Sequence, residues 1–469
     1  MKITRHFYIK GGLPVLIILI AYPAWAVPSW LLRPDFQVQQ QYTDNLFLTD
    51  SNRESDWITL VTAGINLQAR GKTGEMSLYY RPSYSLYQEN DEYDSLRHNA
   101  GLNFRKNLSR HLHFTLSDSF TRSEQPYDPA RDVRPPDRED AVLEEADYTL
   151  RQGREPRSTN TARTRLEYEF GPRDLAWADY SLRHFRSDNP GDVDSVRSSP
   201  GLGLEYWFAR RYGLETRVRY INGSFDETED ADIFNETEDF DRWSGSLKLM
   251  RNFSRFMDGY IMYSHSYKNY SENRTDYSVY EPSAGISYRF SQDGSFSLGL
   301  GYNIRDEDNG EKDERIVLNA DINQTWDFKR GSLRLRAGSG YNETHFGAEN
   351  LGFTIYYQAG AYYSYPLKKR LYWDIAADYR RNDYKDAEPE RKDHIISFGT
   401  GLNYQLSKRV RLSLNYDYRL RESAREIEVG TSGIIYDFRQ RDSSLDRNEY
   451  RENQVMLSLS WYPRGWKLN

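Results

Sequence analysis

The stretch Arg409 to Arg421, RVRLSLNYDYRLR, alternates apolar side chains with charged or polar ones at every position. The apolar set is Val410, Leu412, Leu414, Tyr416, Tyr418 and Leu420, and the polar set is Arg409, Arg411, Ser413, Asn415, Asp417, Arg419 and Arg421. Successive side chains of a β-strand point to opposite faces, whereas a helix would scatter both sets around its circumference. The stretch therefore predicts a strand with one face suited to lipid and the other to water.

The same alternation recurs along the chain, as in Ser332 to Asn342, Leu351 to Tyr365 and Leu371 to Tyr379. Hydrophobic residues make up only 38% of the sequence and the mean hydropathy is −0.86, yet the chain contains 38 Tyr and 10 Trp. A disordered chain is poor in aromatic residues, and a soluble domain of this size has a more apolar core. A transmembrane β-barrel combines aromatic girdles with a polar interior, so the composition favours that class.

A soluble β-sandwich or a β-solenoid is the alternative for so many alternating strands. Tyr and Trp cluster at the ends of the segments, as at Tyr79-Tyr80, Tyr356-Tyr357 and Trp461-Tyr462. Such ends would lie at the two membrane interfaces, where an amphipathic ring is stabilised. The position of the aromatic residues therefore favours the membrane barrel.

Short and long connections alternate between these segments. The short ones are often basic, as in Gly71 to Gly74, Arg210-Arg211 and Leu367 to Arg370. The long ones are mostly acidic, namely Ser224 to Asp241, Arg305 to Arg315 and Asp383 to Asp393, and the longest are Thr121 to Arg157 and Glu422 to Tyr450. Bacterial barrels have short periplasmic turns and long extracellular loops. We predict an all-β fold, a transmembrane antiparallel up-and-down β-barrel of about 20 strands. An 18-strand barrel is the alternative if Asp35 to Tyr42 or one weak hairpin lies outside the wall.

The first 26 residues have the features of a signal peptide. Lys2, Arg5 and Lys10 precede an apolar run, Leu13 to Tyr22, and the small residues Ala24 and Ala26 follow it. Signal peptidase accepts small side chains at these two positions, so we predict cleavage between Ala26 and Val27. A membrane anchor would need roughly 20 apolar residues. We therefore expect residues 1–26 to be a signal peptide and residues 27–469 to be a single barrel domain in the outer membrane of a Gram-negative cell.

Charged and aromatic side chains are predicted to line the interior of this barrel. The candidate lumen-lining residues are Arg217, Arg219, Arg334, Arg336, Arg409, Arg411, Glu167, Glu169, Glu215, Asp374, Asp378, Asp417, Tyr356 and Tyr362. The arginines would form a positive collar toward the periplasmic mouth, which could steer an anionic polymer by its field. Alternatively, charges of both signs pair across neighbouring strands and only keep the lumen polar. The two tyrosines are candidates for stacking on sugar rings, or they have a structural role.

The stretch Gln41 to Leu48, QYTDNLFL, is followed by Asp56 and an alternating strand. It resembles the opening of the putative beta-barrel porin 2 family, whose members include outer-membrane proteins encoded with exopolysaccharide and exosortase systems. The resemblance implies a role in exporting or secreting polysaccharide across the outer membrane. If the barrel exports a polymer, we expect a separate periplasmic partner to deliver it. From the residues alone, Asp44 and Asn45 could simply start a turn into the first extracellular loop, since both side chains bond locally to the backbone.

Other functional classes have less support in the sequence. A general diffusion porin remains the main alternative. A hydrolase would need a Ser, a His and an acid within reach, and the eight His residues stand in no nucleophile or metal motif; His111 and His113, for example, suit an interfacial strand. A TonB-dependent receptor would need an N-terminal plug domain before the barrel. An adhesive or structural barrel is also less favoured. We therefore expect no enzymatic activity, no cofactor and no metal.

The expected partners follow from the predicted location. They are outer-membrane lipid and lipopolysaccharide, the barrel assembly machinery, a periplasmic export protein and the polysaccharide cargo. The last strand, Val455 to Tyr462, ends in aromatic residues as the assembly signal does, although Pro463 to Asn469 follow it. The net charge of −7 argues against a nucleic-acid partner.

The long loop Thr121 to Arg157 could fold into the lumen as a constriction, since loops of that length are often functional.

Overall fold

The computed structural model describes residues 29–126, 153–188, 193–226, 238–271, 275–328, 331–344, 352–384, 391–425 and 449–468. The predicted signal peptide and its cleavage site at Ala24, Ala26 and Val27 lie outside these residues, so they remain a prediction. Nearly all of the described residues are in strands, and the one helical element is a single 3-10 turn, Asp91–Tyr93. In this part of the chain, no helix is long and apolar enough to cross a membrane.

Strands form wherever the sequence alternates between apolar and polar side chains. They are β1 (Ser29–Thr43), β2 (Asp56–Arg70), β3 (Gly74–Tyr80), β4 (Ser83–Tyr87), β5 (Ser95–Asn107), β6 (Leu112–Ser123), β7 (Arg157–Glu169), β8 (Leu175–Ser187), β9 (Ser195–Ala209), β10 (Tyr212–Phe225), β11 (Phe240–Asn252), β12 (Met257–Tyr270), β13 (Tyr277–Ser291), β14 (Gly294–Glu307), β15 (Lys312–Phe328), β16 (Gly331–Thr344), β17 (Gly352–Lys368), β18 (Leu371–Tyr384), β19 (Arg391–Gln405), β20 (Val410–Arg425), β21 (Tyr450–Trp461) and β22 (Trp466–Leu468). The segment that contains Arg409 to Arg421 is thus β20.

These strands form one closed antiparallel sheet, because the first strand pairs with both the second and the last. On one side β1 pairs with β2. On the other side it pairs with β21, where Phe36 lies opposite Trp461, and with β22. The strands β3 and β4 together fill one position of the wall between β2 and β5, and β21 and β22 together fill another. The wall therefore has twenty strands, which confirms the predicted barrel and its strand count and places Asp35 to Tyr42 inside β1.

The two ends of the barrel differ in the length of their connections. At the short-turn end, the turns at Gly71 to Gly74, Arg210-Arg211 and Leu367 to Arg370 join neighbouring strands as predicted. At the long-loop end, two of the expected acidic loops are shorter than predicted. Only 308–311 and 385–390 separate the strands there, because β14, β15, β18 and β19 extend into the predicted loops. Charged side chains in these strand ends have partners on the neighbouring strand. Glu314 on β15, for example, accepts a hydrogen bond from the Tyr302 hydroxyl on β14 at 2.6 Å.

The outer face of the wall is apolar and aromatic. Ile316 is 75% exposed and Ile261 is 66% exposed, as expected for side chains that a bilayer covers. On β1, Phe36 stacks on Trp461 toward the short-turn end, and Tyr42 packs against Trp57 toward the long-loop end. These two aromatic pairs lie six residues apart along β1, at the levels where barrels have their aromatic girdles. The alternate residues therefore form the inner face.

Candidate functional site: the inner wall of the barrel

The strand register places nearly all of the predicted lumen-lining residues on the inner face. They are Glu167 and Glu169 on β7, Glu215, Arg217 and Arg219 on β10, Arg334 and Arg336 on β16, Tyr356 and Tyr362 on β17, Asp374 and Asp378 on β18, and Arg411 and Asp417 on β20. Arg409 instead lies in the turn before β20, since that strand begins at Val410. The predicted arginines do not form one continuous collar, because β10, β16 and β20 lie at separate positions around the wall.

Among the charged parts of the inner face that the structure describes, two regions contrast in exposure. The first, which we call the open wall, comprises Arg165, Glu167, Trp177, Asp179, Glu205, Glu215, Arg217, Arg219 and Lys248 on β7 to β11. The second, which we call the closed network, comprises Tyr384, Arg391, Asp393, Arg419, Arg421 and Glu452 on β18 to β21. The open wall lies closer to the short-turn end, and the closed network lies near the long-loop end.

A row of side chains crosses the open wall through a glycine. In the register of β7 to β10, Arg165 lies opposite Asp179, Asp179 opposite Gly201, and Gly201 opposite Arg219. Arg219 Nη2 reaches over this glycine to Asp179 Oδ2 at 2.6 Å. A Cβ at Gly201 would lie 3.0 Å from the same carboxylate, so a larger residue would crowd the ion pair. Gly201 therefore lets β8 and β10 interact across β9.

The adjacent row is centred on Trp177, whose ring lies over Gly203. A Cβ at Gly203 would overlap the ring, so this position needs glycine. The guanidinium carbon of Arg165 is 5.0 Å from the ring centroid and that of Arg217 is 5.5 Å from it. Cations at this distance are attracted to the face of an indole ring. Trp177, which is only 9% exposed, thereby positions two guanidinium groups at the surface of the lumen.

Cations and carboxylates of the open wall differ in exposure. The side chain of Arg217 is 56% exposed while its partner Glu215 is 12% exposed, and Arg219 is 42% exposed while Asp179 is 17% exposed. Lys248, the second cation beside Glu215, is 31% exposed. In these two pairs the carboxylate lies against the wall and the arginine side chain extends over it. A solute at this part of the wall would therefore meet Arg217 and Arg219 before their carboxylates, although the charges of the two signs are similar in number.

The closed network has the same types of side chain, but they are buried. Asp393 accepts from Arg391 at 2.7 Å and from Arg421 at 2.7 Å, and the side chains of Asp393 and Arg421 are fully buried. Tyr384, also fully buried, lies 3.5 Å from Arg421 Nη2. The Ser423 hydroxyl donates to the other oxygen of Asp393. This arrangement satisfies the carboxylate internally and leaves it inaccessible to a solute.

The network continues across the seam between the first and last wall strands. Arg419 donates to Glu452 at 2.7 Å, and the hydroxyl of Thr43 donates to the same carboxylate at 2.8 Å. Next to Thr43, Asp44 accepts from the backbone of Asn453 at 2.6 Å and from its side chain at 2.7 Å. The stretch Gln41 to Leu48 therefore joins the first strand to the last.

Asn45 forms the turn that was the simpler expectation for this stretch. Its side-chain oxygen accepts from the backbone N–H of Thr49 at 2.9 Å, and its amide nitrogen donates to the carbonyls of Thr49 at 2.6 Å and Arg451 at 2.9 Å. Asn45 is fully buried. One side chain thus shapes the turn and also connects it to β21.

The described ends of the longest loop are held inside the barrel by a third set of contacts. Glu124 is fully buried and pairs with Arg97 Nη2 at 2.5 Å, while Tyr87 donates to it at 2.7 Å. Arg154 donates to the carbonyl of Leu46 at 2.8 and 2.9 Å. Burial would raise the pKa of Glu124, but the charge of Arg97 and the hydrogen bonds from Arg97 and Tyr87 outweigh it and lower that pKa. The predicted constriction by Thr121 to Arg157 depends on residues 127–152, which lie outside the described residues.

The two tyrosines predicted as sugar platforms are both tied to charged neighbours. Tyr362 is 39% exposed and donates to Asp374 at 3.1 Å, and Asn403 donates to the other oxygen of Asp374 at 2.7 Å. The guanidinium carbon of Arg380 lies 4.9 Å from the ring centroid of Tyr356. Tyr362 is thus the more accessible of the two rings.

Sequence reasoning did not identify Trp177, Asp179, Glu205 or Lys248 as candidates. The alternation in β8 could have identified Trp177 and Asp179 as inner-face residues, since every second residue of a strand lies on the same face and both share a face with the polar Ser181. The packing of Trp177 on Gly203 depends on the register between β8 and β9, and the sequence does not give that register.

Three of the described histidines lie beside a tyrosine or a glutamate. His98 and His394 each lie at hydrogen-bonding distance from a neighbouring tyrosine hydroxyl, 2.9 Å from Tyr80 and 2.9 Å from Tyr379. His113 is 3.5 Å from Glu169. Among the described residues, no group of three or more His, Asp or Glu side chains could hold a metal ion.

Comparison with known proteins identifies a family to which this barrel is similar. The model of the family described as putative beta-barrel porin 2 matches residues 25–153 and 263–435, well over half of the chain. No curated protein matches the sequence. Among solved structures, the siderophore receptor PirA from Acinetobacter baumannii is similar at 8% identity and a TM-score of 0.48, over 93% of this chain and 81% of the receptor. OccAB4 from the same organism is similar at 12% identity and a TM-score of 0.38, over 94% of this chain and 99% of that one.

Proposed function

Because the chain belongs to the putative beta-barrel porin 2 family, we propose that it forms a conduit across the outer membrane that exports exopolysaccharide together with periplasmic partners. The diameter of a barrel grows with its number of strands, and only barrels of about eight strands are filled by their own side chains. A wall of twenty strands encloses a water-filled lumen. This width is the observation that carries the proposal.

The chemistry of the inner face suits a hydrophilic cargo. Tyr362, Asp374 and Asn403 form a hydrogen-bonded row across three neighbouring strands. Ser413 continues this row by donating to Asn403 at 2.7 Å. Hydroxyl, carboxylate and amide groups of this kind exchange hydrogen bonds readily with sugar hydroxyls and with water. A sugar chain that contacts this part of the wall can therefore replace its bound water with hydrogen bonds to these groups.

The route to the membrane and the delivery of the polymer are further parts of the proposal. The signal peptide directs the chain to the periplasm and is cleaved after Ala26. The barrel assembly machinery then inserts the chain among outer-membrane lipid and lipopolysaccharide. A separate periplasmic export protein delivers the polymer to the short-turn end, where the open wall begins.

The test is the distribution of polymer in a cell that normally produces it. Deleting the gene should cause polysaccharide to accumulate in the periplasm and to fall in the medium, and the intact chain supplied on a plasmid should reverse both changes. A complementing chain with R122Q, which alters a cation on the outer face, is the matched control and should restore export fully. Normal secretion in the deletion strain would overturn the proposal.

A general diffusion porin is the alternative that the same barrel width allows. Liposomes that contain the refolded protein should distinguish the two functions. Rapid entry of small neutral sugars, together with normal polymer secretion in the deletion strain, would favour the diffusion porin. Polymer accumulation in the periplasm would favour the dedicated conduit.

A further inference from the structure

We propose that the open wall is a binding track for an acidic polysaccharide, one that carries carboxylate groups along its chain. This inference rests on the proposed export function and specifies its substrate class. The track comprises the exposed cations Arg165, Arg217, Arg219 and Lys248 on the inner face of β7 to β11.

Arginines of the track are more exposed to the lumen than the acidic side chains beside them. In the Arg217–Glu215 and Arg219–Asp179 pairs, the arginine side chain is more than twice as exposed as the acidic side chain. Arg165 is 43% exposed beside Glu167 at 32%. Guanidinium groups can bind carboxylates through two parallel hydrogen bonds, so arginine side chains that are exposed to the lumen suit such a ligand. The wall is therefore suited to anions in spite of its acidic residues.

Tryptophan rings lie close to arginine guanidinium groups at two levels of this wall. Trp177 lies over Gly203, and the guanidinium carbons of Arg165 and Arg217 lie 5.0 and 5.5 Å from its ring centroid. Closer to the short-turn end, the guanidinium carbon of Arg173 lies 3.2 Å from the ring centroid of Trp207. Cations that are fixed in this way lose less conformational entropy when they bind a ligand. Two tryptophans thus hold basic groups at two levels of the same wall.

The cations of the track lie at neighbouring levels of adjacent strands. Arg217 and Arg219 lie two residues apart on the same face of β10, which separates them by about 7 Å along the strand. Arg165 lies in the same cross-strand row as Arg219, and Lys248 lies one level below Arg217. A single polyanion can contact several of these groups at once, so weak individual contacts add up to useful affinity.

The carboxylates beneath the cations also suit transport. Conduction requires binding that is favourable enough for entry and weak enough at each site for release. Glu215 partly neutralises both Arg217 and Lys248, at 2.5 and 3.6 Å. The affinity of each cation for a passing carboxylate is lowered accordingly, and the polymer can move from one group to the next.

The experiment measures binding of a hexameric oligogalacturonate to the refolded full chain in detergent micelles by titration calorimetry. Maltohexaose is the neutral oligosaccharide of equal length, and a short polyphosphate is the anion without sugar. The expected result is binding of the oligogalacturonate that weakens with added salt, and at least tenfold weaker binding of maltohexaose. The double variant R165Q/R217Q should bind the oligogalacturonate at least tenfold more weakly than the native chain does.

The controls separate the charge of the track from net charge and from folding. The double variant R122Q/R186Q removes two cations from the outer face and should bind like the native chain. R165K/R217K retains the charges and should bind within a few-fold of native, which a misfolded barrel would not do.

Three results would overturn the inference: equal binding of maltohexaose, native affinity in R165Q/R217Q, or binding of polyphosphate alone. If the oligogalacturonate binds as expected but the deletion strain secretes polymer normally, the export function fails and the track stands. If the deletion strain accumulates polymer in the periplasm but the oligogalacturonate does not bind the refolded chain, the proposed export function is supported and the proposed acidic substrate class is wrong.

Discussion

The open wall and the closed network are both built from arginine–carboxylate pairs on the inner face of one barrel, but only the open wall offers its charges to the lumen. Arg217 is 56% exposed beside Glu215, whereas Arg421 and Asp393 are fully buried together. The difference arises from the neighbouring residues. Glycines lie beside the pairs of the open wall, while Tyr384 and further charged groups cover those of the closed network. Charge pairing alone therefore does not reveal whether an inner-face arginine stabilises the barrel or binds a solute.

The largest expected effect is that of D393N. It removes the charge that pairs with both Arg391 and Arg421 and leaves two buried guanidinium groups without their carboxylate. Breaking a buried pair of this kind costs about 3–5 kcal/mol. Urea unfolding in lipid vesicles measures the free energy of unfolding. The matched change in the open wall, D179N, should cost less than about 1 kcal/mol because its partner Arg219 is 42% exposed. Equal losses in the two variants would remove the distinction between the two regions.

The next effect tests the packing of Trp177 on Gly203 in the open wall. G203A should force the ring of Trp177 off the wall and destabilise the barrel by about 1–3 kcal/mol, as overpacking does. The displaced ring should also change the tryptophan fluorescence spectrum. G245A on the neighbouring β11 is the control, since the nearest atom to its Cβ would be 3.9 Å away. A native fluorescence spectrum in G203A would show that Trp177 does not depend on the glycine.

A smaller effect is expected at the seam that continues the closed network. N45A removes the three bonds to Thr49 and Arg451 and should lower the free energy of unfolding by about 1–2 kcal/mol. Hydrogen exchange should show faster exchange in β1 and β21 and no change in β9 and β10. Uniform acceleration in all strands would indicate that Asn45 does not act at the seam.

The smallest effect is the pH dependence of Glu124. Its pKa is lowered in the folded state, so its contribution to stability is complete above the unfolded pKa of about 4.3 and is lost as the pH falls through the lower folded pKa. Urea unfolding from pH 7 toward pH 3 should therefore show a steeper loss of stability for the native chain than for E124Q. Parallel curves for the two proteins would contradict the ion pair with Arg97.

The alternation of side chains was sufficient to predict the barrel, its twenty-strand wall and the inner face of most strands. β20 follows directly from the stretch Arg409 to Arg421, except that Arg409 lies in the turn. The sequence overestimated the length of the loops at Arg305 to Arg315 and Asp383 to Asp393. Charged residues at the ends of neighbouring strands pair in the β-ladder there, so the strands extend into the predicted loops. It also could not show which charges are buried. That depends on the register between neighbouring strands, as for Asp393 and Arg421.

The most direct test of the account is single-channel conductance of the refolded full chain in a planar bilayer under a salt gradient. We expect a steady open current with a reversal potential that indicates preference for anions, and a smaller preference for anions in R165Q/R217Q. A barrel that is silent at every applied voltage would contradict the conduit. An open current with the same ion preference in R165Q/R217Q would contradict the role of the open wall.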